Sequence, residues 1–180
     1  MVFLSTVLLL HLAHADTRLI DVKVRHDRKF DFKQLNNNYQ WITRKDSSRN
    51  YVESVDPYIN EYFISVVNRK LAEKGYHEVN DESASFGIDY MVIINEEGKE
   101  VSLAHALADY KKSRLSKIHI AGLPNIEHMK AGTIILNIAN MKTDFLVWIG
   151  YADAVVVEKK DREELIDQAV SRMLAEFPPE

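Results

Sequence analysis

The chain has 180 residues, of which 46% are hydrophobic and 28% are charged, and its formal net charge is −4. This length gives room for one domain with a sizeable core, and the mild negative charge argues against nucleic acid as the partner, because such binders carry a strong basic excess. Cysteine is absent, which excludes disulfides, thiolate nucleophiles and zinc–thiolate sites.

The N-terminal residues have the pattern of a secretory signal peptide. The apolar run Met1–Leu10 is followed by Ala13-His14-Ala15 and then by Asp16. The run is shorter than the roughly 20 residues that span a bilayer, and the A-x-A triplet is typical of a cleavage site. Since no Lys or Arg precedes the run, the alternative is a buried N-terminal element of a cytosolic protein. We expect residues 1–15 to be a signal peptide, residues 16–180 to form a single domain, and the mature protein to be periplasmic or secreted without a transmembrane segment.

Two short strands are predicted before the first helix. Apolar and charged residues alternate over Arg18–Val24, which is typical of a half-buried strand. The charged run His26–Lys33 predicts a turn. The stretch Tyr39–Thr43 is rich in aromatic and β-branched residues and predicts the second strand.

The first long helix is predicted to begin at Asp56-Pro57 and to end at Gly75. Asp caps free backbone amides, Pro fits the first helical turn, and Gly terminates helices. Its apolar residues recur at spacings of three and four, as on one face of a helix. A short strand follows at Tyr76–Glu78, and the nearly continuous apolar run Ile88–Asn95 predicts a strand in the middle of the sheet.

The second half of the chain predicts a hairpin and a final helix. The segment Val101–Lys117 is ambiguous, although its spacing suits a helix, and Lys117–Ala121 alternates like a strand. The strands Gly132–Asn140 and Phe145–Val157 are joined by a short turn, and an amphipathic helix spans Asp161–Phe177. The whole pattern predicts an α+β fold, with a mixed or antiparallel sheet of about five to six strands and two main helices packed on one face.

Four groups of residues carry a family resemblance. The first is the aromatic ribbon Phe30–Trp41, and the second is the helix from Asp56-Pro57 to Leu71-Ala72-Glu73-Lys74-Gly75-Tyr76. The third is the strand Ile88-Asp89-Tyr90-Met91-Val92. The fourth is a C-terminal block that runs from Gly132-Thr133-Ile134-Ile135-Leu136 through Val147-Trp148-Ile149-Gly150-Tyr151-Ala152 and Gln168-Ala169-Val170 to Phe177-Pro178-Pro179. Together they cover most of residues 28–180. In order and spacing they resemble a bacterial envelope family known as domain of unknown function 4136.

The resemblance implies an α+β domain in the periplasm or at the outer membrane, often a lipoprotein, and it implies no established reaction. The chain departs from the family pattern in its missing lipid-accepting Cys, so no lipid anchor is expected. Asn137 and Asn140 stand where many members have acidic residues, and Ile149 stands where a basic residue is common. The segment Val101–Asn125 lacks the glycine- and aromatic-rich loop that is usual there.

The leading functional hypothesis is a non-enzymatic envelope domain that binds or scaffolds a partner and needs no cofactor. No nucleophile motif or phosphate loop is present in the sequence. The partner would be an envelope protein or an anionic envelope component, bound by the basic stretch Lys111, Lys112, Arg114 and Lys117; the alternative is a solvated surface.

A second hypothesis of another class is a periplasmic hydrolase or metal-dependent enzyme. It would use His119, Glu127 and His128, because imidazole and carboxylate groups suit zinc. The spacing of these residues matches no standard metal motif, so surface loop histidines are the simpler interpretation.

Overall fold

The computed structural model describes residues 21–42, 57–92, 117–118, 133–153 and 162–179. Its strands are β1 (Asp21–His26), β2 (Asn38–Trp41), β3 (His77–Glu78), β4 (Phe86–Val92), β5 (Lys117–Ile118), β6 (Thr133–Asn140) and β7 (Phe145–Asp153). Its helices are α1 (Pro57–Glu73) and α2 (Arg162–Ala175), and one 3-10 turn spans Phe32–Gln34.

All of these strands belong to one mixed sheet. The order is β1-β7-β6-β4-β2-β3, and β5 pairs with β7 outside that path. The pairs β1–β7, β7–β6 and β6–β4 are antiparallel, whereas β2 runs parallel to both β3 and β4, and β5 runs parallel to β7. The predicted α+β class is therefore confirmed, with six strands in the main order.

Both helices pack on the same face of the sheet. Phe63 of α1 lies against Tyr90 of β4, with ring centroids 4.6 Å apart. Met173 of α2 lies over Gly150 of β7, where a β-carbon added to the glycine would lie 3.1 Å from the methionine side chain. The core between helices and sheet includes the fully buried Tyr39, Phe63, Leu71, Phe86, Leu136, Ile138, Trp148, Met173 and Phe177. Burial of each such side chain contributes about 1.5–3 kcal/mol to stability.

The helix boundaries follow local signals in the sequence. Gly75 has a φ of +84° directly after α1, a left-handed conformation that glycine adopts without steric cost. In α2, Glu163 and Glu164 occupy the first turn, where negative charge is stabilised by the helix dipole. The predicted buried stripe of α2 is confirmed at Leu165, Ile166, Ala169, Val170, Met173 and Leu174.

Several predicted boundaries need correction. Strand β4 begins at Phe86 instead of Ile88, because Phe86 already pairs with Asn140 across the sheet. Helix α2 ends at Ala175, and Phe177 follows it with its side chain still buried in the core. Strand β1 ends at His26, two residues beyond its predicted end. The proposed Asp56 cap, the ends of the other long strands and most of Val101–Asn125 lie outside the described residues.

The opposite side of the sheet, called here the helix-free face because neither of the two described helices lies on it, is also buried. It consists of Asp89 from β4, of Ile135, Asn137 and Ala139 from β6, and of Leu146, Ile149 and Tyr151 from β7, which face each other in register. Each is at most 7% exposed. None belongs to the core cluster formed with the helices, so the centre of the sheet is covered on both sides.

Candidate functional site

One edge of the sheet is built by two strands lying end to end along β7. Strand β1 pairs with β7 from Asp153 down to Trp148, and the backbone N–H of Asp27 then donates to the Val147 carbonyl at 2.9 Å. The pairing continues with β5, whose Lys117 lies opposite Phe145. The pairing therefore brings Lys117 to the sheet edge that β1 occupies.

The turn after β1 exposes two cationic side chains at this edge. The Asp27 carboxylate accepts the backbone N–H of Lys29 at 2.9 Å, and the Asp27 carbonyl accepts the N–H of Phe30 at 3.1 Å. Asp31 accepts the N–H of Lys33 in the same way, at 3.0 Å. Because both carboxylates bond to backbone amides, they shape the turn and leave Arg28 and Lys29 exposed.

Strand β1 adds two further exposed cations. Lys23 and Arg25 alternate with apolar residues, so both lie on the side of the helix-free face. The Lys23 ammonium pairs with Asp21 at 2.7 Å and lies 5.7 Å from the centre of the Tyr151 ring. The hydrogen bond to Asp21, together with the nearby Tyr151 and Asp21 charges, raises the pKa of Lys23. We call Lys23, Arg25, Arg28 and Lys29 the basic edge, and β5 brings the backbone of Lys117 to the same edge of the sheet.

The structure places only part of the predicted site. Lys117 lies in β5, whereas Lys111, Lys112 and Arg114 lie outside the described residues, as do the metal candidates His119, Glu127 and His128. The four residues of the basic edge were not predicted from the sequence as a site. The sequence pattern that could have indicated them is the charge cluster Asp27–Lys33 next to an alternating strand. Only the pairing of β5 with β7 shows that Lys117 lies at the same sheet edge as this cluster.

Two polar residues lie side by side at the centre of the helix-free face. Asp89 and Asn137 are directly opposite each other on β4 and β6 and are 6% and 1% exposed. Among the described residues, the side-chain oxygen of Asn137 has no hydrogen-bond partner. Ile149 lies opposite Asn137 on its other side, so Asn137 stands between an acidic and an apolar residue of the neighbouring strands.

An acidic groove lies near β2, towards the opposite edge of the sheet. Its volume is about 400 Å³, and its lining comprises Gln40, Asn80, Asp81, Glu82, Ala84 and Met141. Hydrogen bonds from the side chain and the backbone N–H of Ser83 lower the pKa of Asp81. This carboxylate therefore remains ionised and shapes the loop, since Ser83 donates its N–H to it at 2.8 Å.

The perturbed tyrosines of the described part are held in their neutral form. Burial, with a smaller effect of the Glu78 charge, raises the pKa of Tyr39 to about 12. Burial and the adjacent Asp89 raise the pKa of Tyr90 to about 12, and the hydrogen bond to Asp167 does the same for Tyr62. In the described ranges, no three His, Asp or Glu residues converge on a position that would hold a metal ion, and no helix is both long and apolar enough to cross a membrane.

The family described as Domain of unknown function (DUF4136) matches residues 22–179, which include every described element except the first residue of β1. The chain belongs to this family. The resemblance predicted from the aromatic ribbon, the helix exit and the C-terminal block is therefore confirmed, and these motifs map onto β2, α1 and the β6–β7–α2 unit of the DUF4136 domain.

The DUF4136 fold also has a solved structural neighbour. A crystal structure of a PDZ domain protein from Parabacteroides distasonis matches with a TM-score of 0.55 and 11% sequence identity, covering 90% of this chain. The chain spans only 36% of that protein's length, so the likeness concerns the fold alone. No curated protein sequence matches this chain.

Proposed function

We propose that this DUF4136 protein is an exported, non-catalytic domain of the cell envelope, and that its basic edge binds a membrane surface rich in anionic lipid phosphates. The observation that carries the binding part is the pairing of β5 with β7, which brings the backbone of Lys117, the last residue of the predicted basic stretch, to the sheet edge where Lys23 and Arg25 are exposed. A cationic surface of this kind attracts anionic partners through Coulomb forces.

Export is supported by the organisation of the sequence. The apolar run and the A-x-A triplet end at Ala15, and the family match begins at residue 22. The segment with signal character therefore precedes the region that the family shares. This is the order expected of a cleaved signal peptide followed by a folded domain.

A binding role is supported by the chemistry of the described side chains. General acid–base catalysis near neutral pH needs groups whose pKa has moved toward 7. The pKa values of the described groups move away from 7, since those of Tyr39, Tyr62 and Tyr90 are raised to about 12 and that of Asp81 is lowered. These groups have structural roles as hydrogen-bond donors and turn acceptors.

The basic edge has a local charge that differs in sign from the whole chain. Residues 110–119 contain Lys111, Lys112, Arg114 and Lys117 and no acidic residue, although the chain as a whole carries −4. Around β1, the Asp27 and Asp31 carboxylates are turned to backbone amides. Residues 21–33 carry five Lys or Arg side chains and three Asp side chains, so this edge has a net positive charge that attracts anions.

Export is tested by expressing the chain in a bacterium with a C-terminal tag, fractionating the cells and measuring the intact mass. We expect a periplasmic or envelope product that begins at Asp16. The matched control, Ala15→Arg, blocks the small-residue cleavage position and should retain Met1. A wild-type product that keeps Met1 and stays in the cytosolic fraction would contradict export.

Membrane binding is tested by co-sedimentation with phosphatidylcholine vesicles that contain or lack phosphatidylglycerol. We expect binding only to the anionic vesicles, with a loss as salt is raised. The double substitution Lys23→Glu with Arg25→Glu should weaken binding at least tenfold, whereas Lys74→Glu, at the end of α1 far from the basic edge, should not. Vesicle binding that changes neither with salt nor with charge reversal would contradict binding to an anionic lipid surface.

The metal-dependent alternative is tested by metal analysis of the purified protein. One zinc ion per chain that is lost on His119→Ala would favour that alternative.

A further inference from the structure

We propose that Met141 is a site of reversible oxidation to methionine sulfoxide, and that the Gln40 side chain stabilises the oxidised form. Both residues line the acidic groove, and the Gln40 amide nitrogen donates to the Met141 sulfur at 3.8 Å. The oxidant is a small peroxide that enters the groove from solvent. This site is separate from the basic edge and does not depend on membrane binding.

The contact between Gln40 and Met141 passes over a glycine in the strand between them. Gln40 of β2 pairs with Gly87 of β4, and Gly87 pairs with Ala139 of β6. Met141 follows β6 directly, and its backbone N–H donates to the Ser85 carbonyl at 3.0 Å. A β-carbon at Gly87 would lie 2.7 Å from the Met141 sulfur. The glycine therefore leaves a notch in which a side chain of β2 reaches one at the end of β6.

Met141 and Met173 differ in their access to solvent. Met141 is half-buried and lines a groove of about 400 Å³, which far exceeds the volume of about 30 Å³ that one water molecule occupies. The groove admits small polar molecules, because most of its lining is polar and comprises Gln40, Asn80, Asp81 and Glu82. Met173 is fully buried between α2 and the sheet. A peroxide therefore reaches Met141 in the folded protein, and reaches Met173 only when the core opens.

The oxidation is a two-electron transfer from the Met141 sulfur to the peroxide. A sulfur lone pair attacks one oxygen of hydrogen peroxide, and the O–O bond breaks as the S–O bond forms. The second oxygen keeps the electron pair of the broken bond, takes the proton of the transferred oxygen and leaves as water. The product is a polar sulfoxide, and methionine sulfoxide reductases return it to the thioether. That reduction consumes two thiol groups, which form a disulfide, and it releases the oxygen as water.

The position of the Gln40 amide favours the oxidised form. A thioether sulfur is a weak hydrogen-bond acceptor, whereas a sulfoxide oxygen carries a partial negative charge and accepts strongly. An oxygen added to the sulfur on the side of Gln40 lies between the two groups and comes within the ordinary N–H···O distance of about 2.9 Å. Oxidation of Met141 therefore strengthens the link between β2 and the β6–β7 turn. In a packed apolar core the same oxygen would lack a donor and would destabilise the fold.

Peroxide mapping of the full chain tests the site. The folded protein is treated with dilute hydrogen peroxide, and the sulfoxide content of each methionine peptide is followed over time by mass spectrometry. We expect Met141 to oxidise at least about tenfold faster than Met173, because susceptibility follows exposure. In concentrated urea, where both side chains are exposed, the two rates should be similar. A rate for Met141 in the folded protein that is no faster than that of Met173 would overturn the inference.

The side-chain amide signals of Gln40 in an NMR spectrum test its role in the unaltered protein. On oxidation we expect one Gln40 amide proton to shift downfield, because its hydrogen bond to the sulfoxide oxygen is shorter than that to sulfur. Reductase and thiol should return the signal to its first position. The matched control is Met141→Leu, a swap of similar volume, in which peroxide should leave this signal unchanged. A Gln40 signal that stays in place while Met141 is oxidised would contradict stabilisation by Gln40.

Substitution of Gln40 tests the same role through stability. Gln40→Glu keeps the shape of the side chain but replaces the donor by a carboxylate that repels the sulfoxide oxygen. Peroxide treatment should therefore lower the urea midpoint of Gln40→Glu more than that of the wild type. The difference should vanish when Met141→Leu is present in both, because the other methionines then contribute equally. Equal losses of midpoint in the wild type and in Gln40→Glu would overturn the role of Gln40.

Discussion

At the scale of single residues, Asn68 joins the first helix to the sheet. Its side-chain oxygen accepts hydrogen bonds from the Tyr39 hydroxyl at 2.9 Å and from the Trp41 indole N–H at 3.0 Å. Its amide donates to Glu78 at 2.8 Å. One side chain on α1 therefore satisfies polar groups on both β2 and β3, two strands that pair in parallel and have no hairpin between them.

Replacing Asn68 with Ala should lower the free energy of unfolding by about 2–3 kcal/mol, because buried donors left without an acceptor cost about 1–3 kcal/mol. The matched control is Ser65→Ala on the exposed side of the same helix, where the hydroxyl bonds only to the Tyr62 carbonyl; a change within about 0.5 kcal/mol is expected there. Urea unfolding measures both. Equal effects of the two substitutions would show that the network has no special role.

At the scale of secondary-structure elements, glycines determine how closely neighbouring layers approach. A β-carbon at Gly150 would lie 2.6 Å from the Trp148 ring and 3.1 Å from Met173 of α2, and the Trp148 side chain is fully buried. A β-carbon at Gly87 would meet the flexible ends of Ile42 and Met141 at 2.6 and 2.7 Å. The two positions have similar distances but differ in how easily the neighbour can move.

Gly150→Ala should therefore destabilise the protein more than Gly87→Ala. Overpacking of a rigid core costs about 1–3 kcal/mol, and we expect Gly150→Ala to reach the upper half of this range and Gly87→Ala to stay below about 1 kcal/mol. Thermal unfolding of both variants under identical conditions measures the difference. A larger loss for Gly87→Ala would mean that the helix-free face is packed more rigidly than the contact between β7 and α2.

Element prediction succeeded where the signal was local. The apolar spacing of α1 and α2 and the stop at Gly75 are all readable within one segment. The two-residue strands β3 and β5 gave little or no pattern of their own, because their existence depends on partners in β2 and β7. For the same reason, the sequence located Lys117 in a basic stretch but did not connect it with Lys23 and Arg25.

At the scale of the whole molecule, Phe177 connects distant parts of the chain. Its buried ring lies 6.2 Å from Phe32, 5.5 Å from Tyr76, and 5.6 Å from both Phe86 and Trp148, measured between centroids. These partners come from the turn after β1, the exit of α1, β4 and β7. A residue after the last helix thus closes the core that earlier elements build.

Phe177→Ala should cost about 3–5 kcal/mol of unfolding free energy, the usual range for deleting a buried aromatic ring. The matched control is Phe30→Ala, because Phe30 is half-buried and packs edge-on against Phe32 at 5.0 Å, and less than half of that loss is expected. Chemical denaturation followed by tryptophan fluorescence measures both variants. A loss below about 1 kcal/mol for Phe177→Ala would show that the core closes without this ring.

The amino-acid sequence by itself determined the α+β class, both long helices, the central hairpin and the family, because these depend on periodicity and motif order within short stretches of chain. Only the tertiary structure decided the strand order, the double-sided burial of β6 and the meeting of β1 with β5 along β7. It also showed that Asn137 and Ile149 lie directly opposite each other. The physical reason is that strand pairing is a long-range contact between backbones, which leaves little trace in the side chains of either strand.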